Sequence, residues 1–187
     1  MAYHEHGTAA GHRPDDRGLW PGEFRFCPHC GATLEVADHA GVPRMTCAQC
    51  GFIHYRNPGV GAAVVIFDDK DRLLLVKRGP EATQSGKWSI PAGFVDYGEE
   101  IRAAAARELR EETGLIVAVG EAVFVASNFH DAAKLTVGIW FAGTVTGGSL
   151  QAGDDAEEAA FFSLDALPDL AFDTDRSYLE TLGVQVT

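Results

Sequence analysis

One stretch of this sequence, GFVDYGEEIRAAAARELREETGL at residues 93–115, restricts the fold more than any other. Its composition is that of a helix, yet it carries Glu108, Glu111 and Glu112 close together. At about 100° per residue, Glu112 lies about +40° and Glu111 about −60° from Glu108. Ile101 (about +20°), Ala104 (about −40°) and Ala105 (about +60°) share that arc. Arg102, Ala103, Ala106, Arg110 and Thr113 fall on the other side. The stripe expected to face inward is therefore apolar in its first half and acidic in its second. Such a stripe is unfavourable alone: like charges three or four residues apart cost a few tenths of a kcal/mol per pair. Acids in the last turn also oppose the helix dipole, and a desolvated carboxylate needs a partner or a proton. Arg107 and Arg110 are near in sequence, but Arg110 points outward and one Arg107 does not neutralise three acids. A hard divalent cation such as Mg²⁺ or Mn²⁺ does, because such ions take carboxylate oxygen.

Around this helix the chain reads as strands. Val60–Phe67 is an apolar run, Asp68–Asp71 a turn, and Leu73–Val76 a second strand. A polar loop over Arg78–Lys87 leads to Trp88–Gly93. Beyond the helix, Leu115–Ala126 and Lys134–Val145 are long β-rich segments. A polar loop at Gly147–Asp155 precedes a short strand at Ala159–Phe162. Asp173 or Thr174 is placed to cap a last helix over about residues 175–182. Strands before and after one central helix, with a second helix at the end, indicate an α+β or sandwich-like order.

All four cysteines lie in one short segment, as Cys27-Pro-His-Cys30 and Cys47-Ala-Gln-Cys50. Two C-x-x-C pairs at this separation match a structural Zn²⁺ site, and four thiolates leave no open coordination position. Gly31 and Gly51 follow the pairs, where a knuckle needs its amides turned toward sulfur. Two disulfides or a redox pair are the alternatives. His29 and His54 are spare imidazoles beside a set that is already complete. The expected organisation is a tail at 1–22 (with His4, His6 and His12), a zinc ribbon at 23–57, and a main domain at 58–187.

A formal net charge of −12 argues against a duplex nucleic-acid surface. It does not exclude a small anionic substrate held through a divalent cation. No apolar run is long enough to span a bilayer, and residues 1–18 lack the apolar core of a secretory signal. A cytoplasmic address is the expectation.

Gly93, Glu99 and the run Arg107-Glu108-Leu109-Arg110-Glu111-Glu112-Thr113-Gly114-Leu115 resemble a Nudix box, G-x5-E-x7-R-E-U-x-E-E-x-G-U with U apolar, at every fixed position. The resemblance implies an α/β/α sandwich around a mixed sheet and hydrolysis of a nucleoside diphosphate linked to another group. It implies Glu108, Glu111 and Glu112 as Mg²⁺ or Mn²⁺ ligands. Gly93 would allow a backbone carbonyl near the metal, Glu99 and Arg107 would pair to hold the loop–helix shape, and Gly114 would end the helix. Glu111 or Glu112 would serve as general base through water. Glu158, before Ala159–Phe162, resembles a further acidic ligand or base. Arg78 is a candidate phosphate fork, or else a surface arginine.

The ribbon ahead of the box resembles that of NADH pyrophosphatases and of a second group of bacterial and plastid ribbon-Nudix proteins. The NADH enzymes carry a motif like S-Q-P-W-P-F-P-x-S after the box, where this chain has Val125-Ala-Ser-Asn-Phe-His-Asp-Ala132. A proline typical of one ADP-ribose group is replaced by His130. The ribbon segments FCPHCGATL and CGFIHYRNP are more similar to the second group, associated with ADP-ribose and FAD-like substrates. Phe129, Trp140 and Phe52 are candidates to stack on adenine, each with a core role as the alternative. An NAD(H) or NAD-capped RNA pyrophosphatase and a catalytically silent ligand sensor are the competing classes, and family analogy suggests a homodimer.

Overall fold

The computed structural model describes residues 24–128 and 134–185. The described residues divide into two compact units, one comprising residues 24–58 with 134–135 and the other residues 59–128 with 136–185.

In the first unit, strands β1 (Glu35–His39) and β2 (Val42–Thr46) form an antiparallel hairpin. Its small core consists of Cys27, Leu34, Met45 and Cys47, with Ala32 and Phe52 packed against them. So few apolar side chains cannot offset the ordering entropy of such a segment, which is why a cross-link is needed here.

The second unit begins with β3 (Gly59–Val65), β4 (Leu73–Arg78), β5 (Trp88–Ser89) and β6 (Ala92–Phe94). Helix α1 (Ile101–Thr113), the long strands β7 (Leu115–Asn128) and β8 (Thr136–Gly148), β9 (Ala156–Phe162) and helix α2 (Asp173–Thr181) follow. A four-stranded sheet runs β6-β3-β8-β7, and a three-stranded sheet runs β5-β4-β9. The β3–β8 pair is parallel and its flanking pairs are antiparallel, so the larger sheet is mixed. This is the expected α+β class.

Burial explains why β3 reads as an unbroken apolar run instead of an alternation. Ala62, Val64 and Ile66 pack into one core with Leu74 and with Ala105 and Leu109 of α1. Ala63 and Val65 point the other way, into a core with Leu73, Leu75, Ile90 and Trp140 and with Tyr178 and Leu179 of α2. Each fully buried leucine, such as Leu74 or Leu109, contributes about 1.5–3 kcal/mol. Among the described residues no helix is long and apolar enough to cross a membrane.

Some boundaries differ from the sequence expectation. The strand expected to start at Ala159 starts three residues earlier: β9 begins at Ala156, and Lys77 of β4 forms ion pairs with Glu157 and Glu158 across the strands. Neither Asp173 nor Thr174 caps α2. The cap position is Phe172, without a side-chain hydrogen bond, and Asp173 and Asp175 lie in the first turn, where they complement the helix dipole.

Candidate active site and metal centre

The four cysteines come together. Their sulfur atoms all lie within 4.8 Å of one another, with Cys27–Cys50 and Cys30–Cys47 each at 3.5 Å. Gly31 and Gly51, at φ 75° and 76°, donate their amides to the carbonyls of Cys27 and Cys47, closing two matching knuckles. The amides of Cys50 and Gln49 pull the Cys47 thiol down to about 7. This donor set fits a tetrahedral Zn²⁺. The spare histidines have other neighbours: His29 packs on Phe52 and His54 on Phe24, with ring centroids 4.8 and 4.7 Å apart.

The acidic helix starts at Glu100, whose carboxylate accepts from the amides of Arg102 and Ala103. It ends at Gly114, which takes the left-handed conformation at φ 70° and donates to the Arg110 carbonyl. A side chain at Gly114 would also run into the Ser149 carbonyl. The helix face that is actually buried is rotated from the expected arc. Ala104, Ala105, Leu109, Glu112 and Thr113 are buried, whereas Glu111 is exposed. Thr113, expected outside, is fully enclosed because its hydroxyl bonds back to the Leu109 carbonyl and it packs toward the sheet. The three acids thus span a gradient from core to solvent.

Arg107 organises the rim of this gradient. Its Nε and Nη2 donate to the two oxygens of Glu99, both at 2.9 Å. Nη1 donates to Glu108 at 2.8 Å and Glu111 at 3.0 Å, and Nη2 also reaches the Phe94 carbonyl at 3.1 Å. One arginine therefore serves three carboxylates, more than the sequence suggested, but Glu112 is not among them. Glu108 and Glu111 lie on one guanidinium nitrogen instead of being gathered with Glu112. Among the described residues only the four cysteines bring three or more such ligand atoms together within 4.8 Å.

Glu99 is held well below the ordinary carboxylate value, at about 2, first by the Arg107 guanidinium and then by the Asp96 amide. A carboxylate whose folded pKa is depressed stabilises the fold above its unfolded value, here about 4.5, and that contribution is lost as pH falls toward 2. The junction between β6 and α1 is accordingly expected to loosen across that window in an acid titration. Glu99→Gln is expected to abolish this part of the slope. A slope identical in the variant would refute the assignment.

Glu112 is only 4% exposed. The Ala92 amide donates to its Oε2 at 3.0 Å. Burial, with the negative charges of Asp155 and Glu108 added, pushes it up to about 8. Burial also raises Glu108, whose carboxylate lies against Gly93 so closely that any Cβ there would collide with it. These groups fit a hard cation in two respects: an oxygen-only donor set, and a buried acid with no cationic side chain in hydrogen-bonding reach among the described residues.

Sequence reading did not single out Asp154 and Asp155, whose charges act on Glu108 and Glu112 respectively. They are brought here by the loop before β9, which satisfies the last carbonyls of α1. Gln151 donates to Thr113 at 2.9 Å and Gly153 to Glu112 at 3.1 Å, and a side chain at Gly153 would strike the Glu111 carbonyl. Gly79 in turn donates to the Asp155 carbonyl. A cavity of about 500 Å³ opens here, lined by Gly79, Glu81, Asp154, Asp155 and Glu157 among others. The available signal was Gly153 in the polar loop ahead of β9, beside the two aspartates.

The remaining candidates are placed as follows. Arg78 donates Nε to the Thr83 carbonyl at 2.6 Å and lies over the Phe172 ring, while its charge acts on Glu112. Glu158 is exposed and bonded to Lys77 at 2.8 Å across the β4–β9 pair. Trp140 is buried and bonded to Asp175, a core role instead of a stacking one. Phe52 is half-buried in the first unit. Phe129 lies outside the described residues.

Known proteins resemble this chain in sequence and in fold. A family described as Nudix N-terminal, a zinc ribbon, matches residues 25–56. The chain is 35% identical over 153 residues to the NAD-capped RNA hydrolase NudC of Pseudomonas aeruginosa, covering 82% of this chain and 52% of that protein. It is 42% identical over 123 residues to the ADP-ribose pyrophosphatase of Methanocaldococcus jannaschii, covering 65% of this chain and 72% of the relative. The solved NUDIX hydrolase from Nitrosomonas europaea superposes with a TM-score of 0.73 at 30% identity, covering 84% of this chain and 89% of that one. The chain thus spans about half the length of the NAD-capped RNA hydrolases it matches. The NUDIX domain family matches residues 57–182, well over half of the sequence and the whole of the box, and this chain belongs to the Nudix family.

Proposed function

We propose that this chain hydrolyses the pyrophosphate bond of a nucleoside diphosphate derivative, with ADP-ribose or a related adenine dinucleotide such as FAD as substrate. The observation that carries the reading is Glu112, a buried acid pushed up to about 8 beside Glu108 and Asp155. A fold retains so unfavourable a group where a cation or substrate offsets the cost. Glu108, Glu111, Glu112 and the Gly93 carbonyl would hold Mg²⁺ or Mn²⁺. When bound, such an ion supplies charge neutralisation for a diphosphate and Lewis acidity toward water. Ala92 orients Glu112 through its amide, and Glu99 keeps Arg107 at the helix face. Glu112, or Glu111 at the solvent edge, would take the proton from the attacking water. Cys27, Cys30, Cys47 and Cys50 would hold Zn²⁺ in a closed structural site. Arg78 and Glu158 remain in this reading as phosphate-binding and accessory acidic groups.

The resemblance to the archaeal ADP-ribose pyrophosphatase and the departure at residues 125–132 from the NADH motif support an ADP-ribose-like substrate. One observation favours a second reading, an NAD(H) or NAD-capped RNA pyrophosphatase: the match to the NudC proteins is longer than the NUDIX match alone and covers 82% of the chain. Steady-state kcat/KM with ADP-ribose, FAD, NADH, NAD-capped RNA and dinucleoside polyphosphates, each with Mg²⁺ or Mn²⁺, separates the two. ADP-ribose or FAD is expected to exceed NADH and capped RNA by at least about tenfold, a difference of about 1.4 kcal/mol at the transition state. The reverse order would establish the second reading. Turnover of none of them would leave a ligand sensor.

A further inference from the structure

Among the described residues, only two acids are buried: Glu112 at 4% and Asp175 at 3% exposure. They come from different helices, α1 and α2, and hold the same short segment from its two ends. Asp175 accepts from the Ile90 amide at 3.1 Å through Oδ2 and from the Trp140 indole at 3.1 Å through Oδ1. Two residues on, the Ala92 amide donates to Glu112. Between them the Pro91 carbonyl accepts from Val64 of β3 at 3.1 Å. Trp88, at the start of the segment, exchanges backbone bonds with Asp169 and Ala171 ahead of α2. Ser89, Ile90 and Pro91 are all buried. The charge of Arg78 acts on both Glu112 and Asp175, so one cation balances both buried acids in part.

We infer that Asp175 is a positioning residue for the acidic site: by fixing the Ile90 amide it sets where Ala92 holds the Glu112 carboxylate. The inference rests on the metal-binding role proposed for Glu112. The segment bends at Pro91 on its way from β5 to β6, but Pro91 is buried and its carbonyl is bonded to Val64, so a displacement at the Ile90 amide passes to the Ala92 amide. Partners that orient metal ligands at one remove are typically worth about 10–100-fold in metal affinity.

The test is Mn²⁺ binding to the full zinc-loaded chain, followed by electron paramagnetic resonance of the free ion. The binding lost in Glu112→Gln defines the ion held at the acidic helix. Trp140→Phe removes the indole bond but leaves Asp175 on Ile90, and is expected to keep Mn²⁺ affinity within about twofold even as its melting temperature falls. Asp175→Leu in the Trp140→Phe background removes the acceptor of Ile90. It is expected to weaken Mn²⁺ binding at least about tenfold and to lower kcat with KM for substrate unchanged. Affinity that follows melting temperature through the series, or no weakening in the double variant, overturns the inference. Asp175→Asn supplies the check where the double variant does not fold. Its Mn²⁺ affinity must fall if the Ile90 amide proton loses protection from exchange, and hold if that protection persists; the opposite pairing overturns the inference. Absence of an ion at the acidic helix in the unaltered protein would overturn the proposed role of Glu112 itself, a result distinguishable from failure of Asp175 alone.

Discussion

Glu112→Gln is expected to lower kcat by roughly three orders of magnitude, the scale found when a charged group acting on the transition state is removed. The same substitution is expected to leave the melting temperature unchanged or raised when Mg²⁺ and Mn²⁺ are absent. Glutamine keeps a carbonyl oxygen for the Ala92 amide, so the one hydrogen bond that orients the side chain survives. What is lost is an acid that must take up a proton to be buried near neutral pH, because burial and the charges of Asp155 and Glu108 push it up to about 8. A residue kept for stability would show the opposite pair of effects, with the variant unfolding more readily. Rapid-quench turnover and a thermal scan on the same preparation read both quantities. Undiminished turnover would remove Glu112 from the chemistry.

The second large effect is expected at the ribbon. Cys47 is 1% exposed and sits in a core of four residues, two of which are cysteines. With so little apolar surface to bury, metal coordination supplies most of the folding free energy, on the order of 10 kcal/mol for structural Zn²⁺ sites. Cys47→Ser replaces a thiolate with a hydroxyl that stays protonated. Zinc measured by elemental analysis is expected to fall from about one ion per chain to near none. The amides of the β1–β2 hairpin are then expected to exchange freely with solvent. A full complement of zinc in this variant would refute the coordination assigned to the four thiols.

What was legible in the sequence was whatever depends on spacing along the chain. Cys27 to Cys50 read correctly because two knuckles need only local turns at Gly31 and Gly51 to face their sulfur atoms together. The run at β3 read as a strand because it is buried on both sides, and Gly114 read as a helix end because only a left-handed residue fits there. Features set by long-range packing were not legible. The burial of Thr113 and the exposure of Glu111 depend on how α1 is rotated against the sheet, which period alone does not determine. Asp155 reaches Glu112 because a distant loop donates its amides to the end of α1. The bond between Asp175 and Ile90 joins residues 85 apart. The reach of Arg107 was underestimated because a fork with five donors was weighed as a single charge.

That fork has a consequence for how this protein can vary. A lysine at position 107 would preserve the charge but could not span the Glu99 carboxylate, the two helix acids and the Phe94 carbonyl together, since its donors radiate from one nitrogen. Substitutions at the cavity walls around Glu81 and Glu157 leave that fork untouched. Exchange of this arginine does not, because its flat geometry ties the approach loop to the helix at several points at once.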